Sequence, residues 1–75
     1  MIAELDRVVL QVDLPDHGLK AGDVGTVVLD HARRGYEVEF LTLTGETLAV
    51  VSLFPEQVRP IHRREIAHAR LVEAS

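Results

Sequence analysis

The stretch YEVEFLTLTGETLAVVSL, residues 36–53, carries the clearest structural signal in the chain. Tyr36, Val38 and Phe40 alternate with Glu37 and Glu39, which is the period of a strand with one buried face and one solvated face. A Thr-Gly-Glu turn at residues 44–46 leads into TLAVVSL, whose apolar interior is typical of a largely buried strand. The pattern predicts a β-hairpin.

Another strand is predicted just before this hairpin, in AGDVGTVVLD at residues 21–30, where β-branched residues are dense enough to favour strand over helix. The loop HARRG, residues 31–35, joins the two, and Gly35 can supply a left-handed dihedral angle. Gly25 falls inside the predicted strand, so we expect a bulge or a close backbone approach there. A phosphate-binding loop is the alternative, but such a loop needs a helix after it, and no helical pattern follows.

The two ends of this region complete a five-stranded pattern. DRVVLQV at residues 6–12 predicts the first strand, and FPEQ at residues 54–57 predicts one helical turn before a last strand, VRPI. Short hairpins after one long first loop favour an all-β fold, a small five-stranded SH3-like barrel over residues 1–61; a partly open barrel or a dimerising hairpin sheet are alternatives. The predicted core consists of Val27, Val38, Phe40, Val50 and Leu53, and we also expect Phe54 to pack in the core rather than to stack on a base.

Residues 62–75, HRREIAHARLVEAS, form a separate C-terminal tail or short helix in this interpretation. Ile66, Ala69, Leu71 and Val72 provide a narrow apolar stripe. A helix of this length is marginal alone in water, so the stripe predicts docking on the barrel, on a second copy or on a partner protein, with Ile66 as the main anchor.

Composition limits the classes of function. Eight Lys and Arg stand against twelve Asp and Glu, and the net charge of −4 has the wrong sign for broad attraction to nucleic acid or anionic lipid. The chain has no cysteine, so disulfides and thiolate metal sites are excluded. No signal-peptide pattern or membrane-spanning apolar run is present, and we expect a cytoplasmic protein that makes no contact with a membrane.

The residues that carry chemistry form no recognisable catalytic or metal-binding motif. The four histidines are not paired at metal-binding spacing, and Ser52 lacks a nucleophile elbow or an adjacent base in the sequence. Glu37 and Glu39 are interpreted as a solvated outer face rather than a catalytic pair. We therefore expect no cofactor, no metal and no enzymatic activity.

Two function hypotheses follow. The first is a small protein-interaction module whose acidic surface suits a basic partner, with homo-oligomerisation as a further possibility. The second is nucleic-acid binding, which requires the arginines to form one face. The candidate partner-binding residues are Tyr36, Glu37, Glu39, Ile66 and Leu71, and the candidate nucleic-acid-binding residues are Arg33, Arg34, Arg59, Arg63 and Arg64.

Two segments, DLPDHGLKAGDVGTVV at residues 13–28 and YEVEF with GETLAVV, taken together resemble a family of small bacterial proteins, the domain of unknown function numbered 4926. The resemblance extends to about Arg70. It implies an SH3-like barrel without an assigned activity. It also implies a protein partner, or an antitoxin-like role as the neutralising member of a two-protein pair, because similar proteins are often encoded beside other small genes. It supplies no catalytic or binding residues.

Overall fold

The computed structural model describes residues 1–72 and contains one five-stranded antiparallel sheet. The strand order across the sheet is β4-β3-β2-β1-β5. Three short 3₁₀ turns interrupt the connections, at Pro15–His17, Ala32–Arg34 and Pro55–Gln57. The prediction of an all-β fold with five strands is confirmed. The strands are β1 Arg7–Leu10, β2 Val24–Asp30, β3 Tyr36–Leu41, β4 Thr47–Leu53 and β5 Val58–Pro60.

The register of β3 with its neighbours decides which side chains are buried. Val38 lies opposite Val27 of β2 and opposite Val51 of β4, so these three valines share the inner face. Glu39 lies opposite Val50, and side chains of opposed residues project from the same face. The inner and outer faces predicted from YEVEF are therefore confirmed.

The core is a single cluster built from all five strands and the first loop. The four predicted core residues of β2, β3 and the end of β4 are buried, but Val50 is 52% exposed and the prediction for it is wrong. The register explains this, because Val50 shares the outer face with Glu39 while Val51 and Ala49 pack against the core. The buried residues of the core cluster are Val8, Leu10, Leu19, Val27, Val38, Phe40, Leu53 and Val58.

Gly25 lies at a close approach, as the sequence predicts. A Cβ atom added there would lie 2.5 Å from Val38 Cγ1 and 3.0 Å from the carbonyl oxygen of Glu39. The irregularity in the ladder falls elsewhere, between Val27 and Leu29. Gly25 is therefore required for space over β3, and the bulge that bends β2 is three residues further on.

The two ends of the strand order are β4 and β5, and no ladder pairs them within residues 1–72. β1 joins the halves of the sheet, since Val8 lies opposite Gly25 of β2 and opposite Pro60 of β5. Closure of the sheet into an SH3-like barrel stays a prediction.

The C-terminal segment is not helical over residues 62–72, and the last three positions of the predicted segment lie outside the described residues. Ile66 and Leu71 are 91% and 90% exposed, so Ile66 does not anchor the segment to its own sheet, and docking on a second copy or on a partner protein stays a prediction. Polar contacts hold the segment instead: Arg59 donates two hydrogen bonds to Glu65, and Arg70 donates to Asp23 and to the carbonyl oxygen of Gly18. Among the apolar residues of the stripe Val72 is half-buried and lies against the first loop, while charged contacts hold the rest of the segment.

No helix within the described part of the chain is long and apolar enough to cross a bilayer.

Candidate functional site

A shallow pocket of about 230 Å³ lies where the β2–β3 connection meets the end of β4. We call it the β3–β4 pocket. Gly35 and Leu53 line it together with polar and aromatic residues, which are His31, Arg34, Tyr36, Glu37, Ser52 and Phe54.

Gly35 allows the pocket to form at this place. Its φ is +136°, a conformation that side-chain-bearing residues rarely adopt, and a Cβ atom there would lie 2.1 Å from the carbonyl oxygen of Leu53. Because the two backbones touch, Tyr36 comes directly opposite Leu53, and Phe54 follows at the end of β4. The close approach of Gly35 to Leu53 therefore brings Tyr36 and Phe54 into the lining of one pocket.

Phe54 also differs from the sequence-based interpretation, which placed it in the core. It is 63% exposed, because its backbone amide donates a 2.8 Å hydrogen bond to Gln57 Oε1 and so begins the 3₁₀ turn Pro55–Gln57. The chain leaves the sheet at this residue. An aromatic ring therefore remains available at the pocket wall.

Glu37 is the centre of the polar contacts in the pocket. The hydroxyl of Ser52 donates to its Oε2 atom, and His31 Nε2 lies 2.9 Å from the same oxygen. These hydrogen bonds, from Ser52 first and His31 second, hold the pKa of the Glu37 carboxyl below its usual range. The other oxygen of the Glu37 carboxylate, Oε1, accepts no hydrogen bond from residues 1–72. Glu37 therefore presents a charged carboxylate with one oxygen open to a ligand.

The Ser52–Glu37–His31 arrangement does not have the geometry of an activated nucleophile. In such a site the base contacts the hydroxyl and a third group orients the base. Here the carboxylate stands between the serine and the histidine, and its lowered pKa makes it a weak base. The chemistry this arrangement supports is recognition of a hydrogen-bond donor or a cation.

A second cavity, of about 310 Å³, lies between the first loop and the C-terminal segment. Arg70 and Val72 line it from one side and Lys20 and Pro15 from the other. Burial tends to raise the pKa of Asp23, but hydrogen bonds from Arg70 and the Lys20 amide, with the charges of both, outweigh burial and leave the pKa lowered. This cavity holds an ion pair that is already satisfied, so its polar groups serve to attach the segment.

The five candidate arginines for nucleic acid belong to separate parts of the fold. Arg33 and Arg34 lie in the β2–β3 connection, whereas Arg59 lies in β5, beyond β1. The guanidinium of Arg59 is held by Glu65, and Arg63 and Arg64 occupy the turn between the two. Only Arg34 lines the β3–β4 pocket.

The candidate partner-binding residues are likewise divided. Tyr36 and Glu37 line the β3–β4 pocket, and Glu39 lies on the same outer face of β3, where it accepts a 2.8 Å hydrogen bond from Thr47 Oγ1. Ile66 and Leu71 are exposed on the C-terminal segment and do not line that pocket.

Sequence reasoning missed His31, Ser52 and Phe54 as members of this site. Ser52 could be found only by the pairing of Glu37 with Ser52 in the hairpin, which depends on the length of the turn and on the bulge between Phe40 and Leu41. Groups of three or more His, Asp or Glu side chains arranged to hold a metal ion are absent from residues 1–72.

Comparison with known proteins gives one match. A family model described as Domain of unknown function (DUF4926) matches residues 4–60, which confirms the family drawn from the sequence, while the match ends before Arg70. No curated protein matches the chain, and no solved structure matches it.

Proposed function

This chain belongs to the DUF4926 family, whose description names no activity, and we propose from the site itself that it is a protein-interaction module. The observation that carries the proposal is the β3–β4 pocket, whose lining combines Glu37, with one carboxylate oxygen free of hydrogen bonds from residues 1–72, and the aromatic residues Tyr36 and Phe54. A carboxylate next to aromatic faces recognises a cationic side chain by charge and by cation–π attraction.

The partner presents a lysine or arginine from a basic surface. The net charge of −4 attracts such a surface over a distance, and Glu39 extends the negative charge along the outer face of β3. Arg34 lines the same pocket, so its guanidinium can pair with a carboxylate of the partner that lies next to the partner's lysine or arginine. Ile66 and Leu71 remain predicted contacts for a partner, since both side chains are exposed.

The specific form of this proposal is the neutralising, antitoxin-like member of a two-protein pair. It rests on the family resemblance to small bacterial proteins encoded beside other small genes. A chain without cysteine is suited to the reducing cytoplasm, where we propose that it acts.

Affinity capture from the native cells tests the proposal. The tagged chain should retain one protein, with the product of the neighbouring gene examined first, and Glu37→Gln should release it. The matched control is Glu46→Gln, which removes the same charge from the β3–β4 turn. Capture that is equal for the two variants would overturn the assignment of the pocket.

Nuclease treatment separates the nucleic-acid hypothesis from this one. A protein held directly by the β3–β4 pocket stays bound after nuclease, whereas a complex bridged by DNA or RNA is lost. Loss of all captured protein after nuclease would replace the interaction module with a nucleic-acid-binding role.

A further inference from the structure

The two edges of the sheet are protected to very different degrees. β5 has three residues and ends at Pro60, which cannot donate a ladder hydrogen bond, and the segment after it is held to Arg59 through Glu65. β4 has seven residues, Thr47–Leu53, with neither a charge nor a proline. Short edge strands, prolines, charges and bulges are the usual protection of an edge, and β4 has only a bulge, at Leu48, where Phe40 pairs with Ala49 and Leu41 with Thr47.

The open edge of β4 has both backbone and side chains available. Among residues 1–72 the strand pairs only with β3, so the hydrogen-bonding groups on its other side have no ladder partner. Leu48 and Val50 project outward with 38% and 52% of their surface exposed. On the inner face Ala49 and Val51 pack against the core but are only partly buried. A strand added at this edge would therefore cover apolar surface on both faces.

We propose that this edge is the interface with a second copy of the chain, through antiparallel pairing of β4 with β4 centred on Val50. Two-fold pairing places Val50 opposite its own counterpart and Ala49 opposite the counterpart of Val51, in the regular part of the strand beyond the bulge at Leu48. The two sheets become one continuous ten-stranded sheet, and the interface is isologous.

The distribution of charged residues favours a second copy over an unrelated basic partner at this edge. The chain carries a net charge of −4, so two copies repel each other at most orientations. β4 is an uncharged strand, and symmetric pairing puts no carboxylate opposite another, because Glu37 and Glu39 lie one strand back on β3. A basic partner would find no carboxylate on β4 to recognise. The Glu37 carboxylate that carries the proposed function lies on β3, outside this interface, although Ser52, which donates a hydrogen bond to it, belongs to β4.

Sedimentation velocity of the full chain over a concentration series tests the proposal. We expect a reversible rise in mass from 8.3 kDa towards twice that value. Val50→Lys places two ammonium groups opposite each other and should weaken dimerisation by roughly tenfold or more. Leu43→Lys makes the same charge change at an exposed leucine in the β3–β4 turn and should leave the dimerisation constant unchanged. A wild-type chain that stays monomeric throughout, or equal effects of the two variants, would overturn the proposal.

A cysteine scan provides a test that does not depend on adding charge. The chain contains no cysteine, so Val50→Cys and Leu43→Cys each introduce a single thiol. With oxidised glutathione as the oxidant, Val50→Cys should form an intermolecular disulfide faster than Leu43→Cys, because only position 50 lies on the two-fold axis. Equal rates would contradict the register. Glu37→Gln should dimerise like the wild type, which separates failure of this interface from failure of the β3–β4 pocket.

Discussion

The five residues YEVEF of β3 alternate between two faces of the sheet, and the two faces have different roles. On the inner face Val38 and Phe40 are 0% and 2% exposed, and the space above Gly25 is taken by the Val38 side chain. On the outer face Glu37 and Glu39 accept hydrogen bonds from Ser52 and Thr47 of β4. The inner face supplies stability, and the outer face leaves charge available for a partner. Substitutions on the two faces should therefore affect different measurements.

The largest effect is expected at the inner face. Phe40→Ala removes a fully buried ring and should lower the free energy of unfolding by about 3–5 kcal/mol, measured by chemical denaturation. Leu41→Ala is the matched control, since it truncates a half-exposed residue at the end of the same strand and should cost far less. A loss below about 1 kcal/mol for Phe40→Ala would mean that the faces of β3 are assigned the wrong way round.

A smaller loss is expected where β2 crosses close to β3. Gly25→Val inserts a side chain where even a Cβ atom would lie 2.5 Å from Val38 Cγ1, and it should cost about 1–3 kcal/mol. Thr26→Val, the next residue, lies on the outer face opposite Glu39 and serves as the control, with a change of about 0.5 kcal/mol or less. Equal melting temperatures for the wild type and Gly25→Val would mean that there is room for a side chain between Gly25 and β3.

The smallest effect concerns the ionic contacts of the C-terminal segment. Hydrogen bonds from Arg59, and then from the His62 amide, lower the pKa of Glu65 from 4.5 to about 2. Because the folded-state pKa is depressed, the contact is fully present above the unfolded pKa and is lost as the pH falls through the folded value. NMR titration should therefore give a Glu65 midpoint of about 2. Arg59→Ala should move the midpoint towards 4.5, whereas Arg63→Ala, the control, should leave it in place. A wild-type midpoint near 4.5 would mean that the segment is not held by Arg59.

The sequence predicted the strands well because their signals are local. The alternation of YEVEF and the β-branched run before it identify strands and faces without knowledge of their neighbours. Val50 was misassigned because TLAVVSL is apolar at successive positions, and only the register with Glu39 shows which of them face outward. A strand without alternation carries no facing information of its own.

The site was only half accessible to sequence reasoning. Tyr36 and Glu37 could be proposed from their strand, but Phe54 was assigned to the core as an aromatic residue next to a strand. Its exposure results from the Gln57 side chain, which begins the 3₁₀ turn. The C-terminal segment shows the same limit, because its apolar stripe predicted the contact, whereas the local Arg59–Glu65 pair and the long-range Arg70–Asp23 pair determine it.

The most direct test of the central claim is the affinity of the captured partner for three purified chains, the wild type, Glu37→Gln and Phe54→Ala, measured by titration calorimetry. Phe54 is exposed and Glu37→Gln is nearly isosteric, so all three should unfold with similar free energies. We predict that each substitution weakens binding by roughly tenfold or more, and that the wild-type affinity falls as the salt concentration is raised. Affinities equal to the wild type for both variants, at unchanged stability, would contradict the claim that the β3–β4 pocket receives the partner's cationic side chain.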